Sequence, residues 1–212
     1  MSNNPIGNRE AWKKAEAQTF WKEIAPSQHV LQLYQSEKIL LDTLAGFVGS
    51  GINSGECVTV IATPAHLNAL DIKLYNHGIK VEILIADHRY IRLEASTLLS
   101  KFMVQGMPDE HLFHRTINGV LRHAVQRNRR LRVFGEMASL LWAEGNIAGT
   151  VMLEELWDSF GKEEGCTMFC AYPAAGFALK DEEMTPAMRY ILDCHSRRIS
   201  GTSAHLRDVV YQ

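Results

Sequence analysis

The most informative residue in this sequence is a carboxylate that closes an apolar run. LRVFGE, residues 131–136, ends on Glu136. In open parallel sheets ligands bind beyond the carboxyl ends of the strands, so Glu136 is a candidate ligand anchor. The alternative is local: Glu136 caps the helix that starts at Met137 through backbone N–H groups. Trp142, Glu144 and Asn146 follow in FGEMASLLWAEGN, and Glu154, Glu155 and Trp157 in LEELWDSF. Two indoles beside carboxylates suit an apolar pocket with a few polar anchors, as small-molecule sites require. Core packing explains Trp142 and Trp157 equally well, and Asn146 also reads as a helix cap. His29 and Tyr34 flank HVLQLY (29–34) and complete the candidate ligand-binding set. A hydrogen-bonded structural histidine is the alternative for His29.

Metal and nucleophile chemistry find less support. Cys57, Cys166, Cys170 and Cys194 form no CxxC pair, and a zinc site needs closer or additional ligand pairs. Cys166 and Cys170 share one face of a strand and are expected as small buried hydrophobes. His195 follows Cys194 directly, but with no partner placed the two do not make a catalytic pair. No catalytic residue and no metal ligand is therefore expected. A phosphate loop would fall at Tyr34–Lys38, yet YQSEK has no glycine and carries Glu37 where phosphate would sit. Arg127, Arg129, Arg130 and Arg132 cluster at a helix C-terminus and read as a solvated basic turn.

The elements that must position these groups alternate. Strands are expected at 29–34, 56–63, 80–86, 131–136 and 166–173. Helices are expected from Lys38 to the glycines of GSGINSG, from Pro64 to His77, over ASTLLSKFMVQG, over MPDEHLFHRTINGVLRHAVQRNR, over 147–161 and around 185–196. Thr63 and Pro64 give the second helix an N-cap and a first-turn proline. Alternation of this kind implies an α/β fold with a mainly parallel sheet. Trp12, Phe20 and Trp21 mark a helical N-terminal extension over 1–27, and 200–212 reads as a polar tail.

Composition sets the outer bounds. The 212 residues are 46% hydrophobic and 22% charged, as in a globular protein with a sizeable core. Net charge is -2, so no global basic excess points to nucleic acid. No apolar run is long enough to span a bilayer, and the polar N-terminus lacks a signal-peptide core. A cytoplasmic location is expected.

FVGSGINSGECVTVIATPAHLNALDIKLYNHG and LRVFGEMASLLW are similar to KaiC-type members of the RecA superfamily. HVLQLYQSEKILLDTLAGFVGSGINSGE, FGEMASLLWAEGN, LEELWDSF, CAYP and CHS resemble the MEDS domain, named for methanogen/methylotroph DcmR sensory proteins, over about 28–199. The resemblance implies a RecA/KaiC-like three-layer sandwich without a phosphate loop. In it the phosphate-loop lysine position falls near Leu40, the acidic pair on Ala62-Thr63 and the Walker B acid on Glu136. It implies a non-enzymatic sensory domain that binds a small effector and signals to a histidine kinase or transcription-factor partner, with homo-oligomerisation open. Two alternatives stand beside it: a KaiC-like ATP-binding or ATP-hydrolysing enzyme with an atypical loop, and an interaction module without ligand. The cofactor and the effector are not named by the sequence.

Overall fold

A computed structural model describes residues 21, 27–126, 129–177, 183–200 and 207–208. The elements in chain order are β1 (His29–Tyr34), α1 (Glu37–Asn53), β2 (Cys57–Ala62), α2 (Pro64–Asn76), α3 (Val81–Ala86), β3 (Tyr90–Glu94) and α4 (Ala95–Leu99). A hairpin follows, β4 (Met103–Val104) and β5 (Met107–Pro108), then α5 (Glu110–Gln126), β6 (Leu131–Gly135), α6 (Met137–Ala143) and α7 (Ile147–Glu164). The chain ends with β7 (Thr167–Pro173), α8 (Pro186–Cys194), β8 (Arg197–Ser200) and β9 (Arg207–Asp208). The main sheet runs β3-β2-β6-β7-β1-β8-β9. Its first six strands are parallel and only β9 runs antiparallel, on the edge.

Both faces of this sheet are covered. The strands are near-continuous apolar runs because side chains of alternating parity enter different cores. Val30, Val58, Val60, Phe134, Phe169 and Ala171 pack with α1 and α2. Leu31, Ile61, Val133, Met168, Cys170 and Tyr172 pack with α5, α6, α7 and α8 on the other face. The result is the expected α/β three-layer sandwich. No helix of the described residues is long and apolar enough to cross a membrane.

Several expected elements change. VEILIA is the helix α3, not a strand. A short apolar run fits either period, and here Val81 and Leu84, three apart, pack on the core while Ile83 and Ile85 are exposed. The strand place beside β2 goes to Tyr90–Glu94, with Tyr90 buried and its hydroxyl 3.1 Å from Asp71. ASTLLSKFMVQG is helical for one turn only. Glu94 caps that turn by accepting from the Ser96 and Thr97 N–H groups, and Gln105-Gly106, both at positive φ, then close the β4–β5 hairpin. The first helix does not stop at Gly49 but continues to Asn53, because Gly51 lets it lie against β2. A Cβ there would sit 2.6 Å from Val58 Cγ2. Beyond α8 the strand β8 pairs with β1, and most of the expected tail over 200–212 lies outside the described residues.

Arg132 also departs from the expected solvated cluster. Its position inside β6 buries it, with Nε 2.6 Å from Glu56 Oε2, Nη1 donating to the Phe47 carbonyl and the guanidinium over the Phe47 ring. Arg127 lies outside the described residues, as do Trp12 and Phe20. Trp21 is buried against Phe47 and Phe169, and its indole N–H donates to the Thr43 carbonyl. Breaking a buried ion pair leaves a charge unanswered, though the exposed Arg130 stays 3.7 Å from Glu56. Replacing Arg132 with Met should therefore lower unfolding stability by about 3 kcal/mol, at the low end for such pairs. Arg130→Met should cost under about 1 kcal/mol. Urea midpoints of the two variants check the contrast.

Candidate functional site

Two polar centres lie on this scaffold, and they differ in kind. The first is at the C-terminal edge of the sheet. Glu136 is buried at the start of α6 but makes no side-chain bond to that helix. It reaches across to β2 and α2 instead. Oε2 accepts the Thr63 N–H at 2.8 Å and Oε1 meets His66 Nδ1. Glu136 thus caps α2, where a carboxylate complements the positive helix end, rather than the Met137 helix. That hydrogen bond raises the pKa of His66 above its ordinary 6.5, against the opposing effect of burial. Burial, then Glu136 and Glu37, push the Tyr34 phenol up to about 12. His66 is a site residue that sequence reasoning missed; only its place in the first turn after Pro64 hinted at it.

The remaining residues expected at that edge make their described contacts elsewhere than with Glu136. Trp142 stacks on Phe177 with centroids 5.0 Å apart and meets Tyr172 edge-on. Asn146 caps α7 by accepting from Gly149 N, and its Nδ2 donates to the Gly106 carbonyl. Glu144 is exposed at the C-cap of α6.

The second centre lies between the sheet and helices α7 and α8. In β1 and β7 alternation turns His29, Cys170 and Tyr172 to the same sheet face. Glu154 and Asp158, one turn apart on α7, face them. His195 closes α8, and its Nδ1 donates to the Ile191 carbonyl at 2.6 Å. That bond satisfies a helix-end carbonyl and turns Nε2 inward. Ser196 then ties down His29, with its N–H on the His29 carbonyl and its hydroxyl 3.0 Å from both the His29 N and O. The two imidazoles end up 3.9 Å apart between centroids.

His29, Glu154, Cys170 and His195 are all buried, and their potential ligand atoms lie within 4.8 Å of one another. His29 Nε2 is 3.3 Å from Cys170 Sγ and 3.7 Å from Glu154 Oε2. Glu154 Oε2 is 3.6 Å from His195 Nε2 and 3.7 Å from Cys170 Sγ. Its other oxygen accepts the Tyr172 hydroxyl. Burial lowers the pKa of His29 and takes His195 down to about 3, while it raises Cys170 and Tyr172 well above their ordinary values. Both imidazoles are therefore neutral lone-pair donors at neutral pH. Cys166 and Cys170 both pack in the apolar core as expected, and Cys170 also meets His29 and Glu154 through its sulfur.

A cavity of about 260 Å³ opens beside this cluster. His29, Asp158, Lys162, Cys194 and Ser196 form part of its wall. Of the six residues expected to bind ligand, His29 alone lines it. Asp158 Oδ1 sits 3.8 Å from His29 Nδ1 and Oδ2 takes Lys162 Nζ at 2.6 Å.

The Glu136–His66 pair carries a pH signature. Because His66 is raised on folding, its stabilisation is complete below 6.5 and fades as pH climbs through the raised value. The urea midpoint should fall on going from about pH 6 to pH 8.5, and Glu136→Gln should flatten that slope. An unchanged slope in the variant would remove the pair as its source.

Comparison with known proteins gives the fold its relatives. The KaiC-like protein PH0186 of the hyperthermophilic archaeon Pyrococcus horikoshii OT3 is 16% identical, with a TM-score of 0.54 over 82% of this chain and 72% of that one. PH0250, also of Pyrococcus horikoshii OT3, is 12% identical, with a TM-score of 0.55 over 91% of this chain and 90% of that one. At such identities the likeness is one of fold, and it makes the sandwich KaiC-like. No curated protein matches the sequence. The family model of the methanogen/methylotroph DcmR sensory domain matches residues 28–190. With that match spanning most of its length, the chain belongs to the MEDS family of sensory domains.

Proposed function

We propose that this chain is a non-enzymatic sensor whose small effector enters the cavity beside His29, rather than the C-terminal edge of the sheet. The observation that carries the reading is that cavity of about 260 Å³, walled by His29, Asp158 and Lys162. It lies just under the usual range of about 300–1,000 Å³ for drug-sized ligands, so it suits a small polar solute. Lys162 and Asp158 offer it both signs of charge.

The geometry at the other edge speaks against nucleotide hydrolysis. Only Gln35 and Ser36 join β1 to α1, and the Ser36 hydroxyl is used as an N-cap for Ile39 N. So tight a turn leaves no run of free N–H groups to cradle phosphates. Leu40, near the lysine position, is fully buried, and Glu136 already holds Thr63 and His66. Mg-ATP catalysis needs phosphate-binding and metal-binding groups together.

A sensor must present different surfaces in its two states to a reader. Ile72 and Tyr75 on α2 and Ile83 and Ile85 on α3 are exposed, and they give a kinase, a transcription factor or a second copy an apolar surface to dock on.

A thermal-shift screen of small polar metabolites against the purified chain tests the reading. The expected result is a hit that raises Tm, loses its effect in Lys162→Glu and keeps it in Glu136→Gln. The reverse pattern would return the effector to the sheet edge. Steady Mg-ATP turnover that falls in Glu136→Gln would establish the enzyme reading instead.

A further inference from the structure

We propose that His29, Glu154, Cys170 and His195 are the ligands of a single tetrahedral transition-metal ion, with zinc the best match to the donor set. The inference goes beyond the effector reading and does not rest on it.

Distances decide between a metal site and a hydrogen-bonded cluster. Hydrogen bonds between nitrogen and oxygen would hold these atoms at about 2.7–3.2 Å. Bonds to zinc of about 2.0–2.1 Å from nitrogen, 2.0–2.2 Å from oxygen and 2.3 Å from sulfur, at tetrahedral angles, separate ligand atoms by about 3.3–3.6 Å. The four separations here are 3.3 Å from His29 Nε2 to Cys170 Sγ, 3.7 Å from His29 Nε2 to Glu154 Oε2, 3.6 Å from His195 Nε2 to the same oxygen and 3.7 Å from Cys170 Sγ to it. The two nitrogen–oxygen separations are too long for N–H···O bonds and near the edges of a coordination tetrahedron, while the two sulfur contacts fit either a thiol hydrogen bond or a shared ion. His195 Nε2 is buried and has no hydrogen-bond partner, although its ring is held by Nδ1 on the Ile191 carbonyl. A buried polar atom in that condition costs stability unless something occupies its lone pair.

The surroundings complete the architecture of a metal site. Metal-bound imidazoles usually engage a carbonyl or carboxylate through the second nitrogen, and ligating carboxylates are themselves hydrogen-bonded. His195 has Ile191 O and Glu154 has the Tyr172 hydroxyl, while His29 Nδ1 has Asp158 3.8 Å away and no hydrogen bond of its own. His29 is also part of the cavity wall, which gives an ion a route inward from solvent. Glu154 is fully buried, no lysine or arginine among the described residues pairs with it, and the two histidines 3.6–3.7 Å away are neutral. A divalent ion supplies the positive charge that the carboxylate and the Cys170 thiolate require, and the thiol proton leaves to solvent as the metal–sulfur bond forms. A donor set of two imidazoles, one thiolate and one carboxylate suits zinc, with cobalt as its spectroscopic substitute.

The test uses the full chain, stripped with chelator and titrated with cobalt(II). The expected outcome is about one cobalt per chain, with tetrahedral d–d absorption and a thiolate charge-transfer band, both erased by zinc. Cys170→Ser should abolish the charge-transfer band and Cys166→Ser should leave it intact. Tyr172→Phe should weaken binding by about 10- to 100-fold, the usual effect of losing an outer partner. If Cys170→Ser does not fold, His195→Gln gives the second reading, with cobalt affinity lost. A folded wild-type chain that gives no tetrahedral spectrum overturns the proposal. So does a band that survives Cys170→Ser and disappears in Cys194→Ser. The effector screen can fail without touching either result, since the cobalt spectrum reads only the metal.

Discussion

A fully buried carboxylate must have its charge answered inside the fold, and Glu154 sets that condition here. No lysine or arginine among the described residues pairs with it; its neighbours are His29, Cys170, Tyr172 and His195. Those four come from β1, from β7 and from the turn that follows α8. Meeting the needs of one side chain on α7 therefore fixes how two central strands and the C-terminal segment approach that helix. The Ser196 bonds to the His29 backbone make the same junction from the main-chain side. β8 then adds to β1 in register, so the sheet edge depends on the polar centre behind it.

The contrast with Glu136 shows what a satisfied carboxylate looks like. Both of its oxygens have close donors, Thr63 N–H and His66. It joins the end of β6 to the start of α2 across β2, and its place at the strand's end is explained by that joint. Position at the carboxyl edge of a parallel sheet is where ligands usually bind, but position alone does not leave a group free to bind them. Glu154 is the opposite case. It sits deep beneath the sheet face, where Oε2 accepts from the Cys170 thiol at 3.7 Å and lies 3.6–3.7 Å from the two imidazole Nε2 atoms.

The KaiC-like layers were legible because they follow from local rules. Alternating strands and helices, Thr63-Pro64 before α2, Asn146 before α7 and the apolar stripe Leu67, Leu70, Leu74 each act within a few residues. VEILIA misled because five apolar residues around Glu82 satisfy both periods, and the strand place beside β2 is taken by Tyr90–Glu94, which lies outside the run. QG at 105–106 was a readable hairpin signal hidden between apolar segments. The polar centre was not legible for a different reason. His29, Glu154, Cys170 and His195 are separated by as much as 166 residues, with none of the short spacings that mark zinc motifs. Each of them alone has a bland explanation, and only the β1–β7 register together with the fold-back after α8 makes them neighbours. The stretches that carry the family resemblance (HVLQLY, LEELWDSF, CAYP and CHS) each send one residue to that point.

Stability alone does not account for such a centre. Well-packed hydrophobic residues in place of buried ionic groups are often neutral or stabilising. Leucine at 154 and valine at 170 would extend the apolar core that already surrounds them, including Leu153, Trp157, Met168 and Leu31. The fold instead holds a carboxylate, a thiol and two imidazoles with burial set against their charged forms. An arrangement that costs folding energy and still has the His195 ring and Glu154 oriented by hydrogen-bonding neighbours is what a bound ion would explain. Its wall is the wall of the cavity, through His29 and Asp158. His29 is shared by the cluster and the cavity wall, and Ser196 ties its backbone to the turn between α8 and β8.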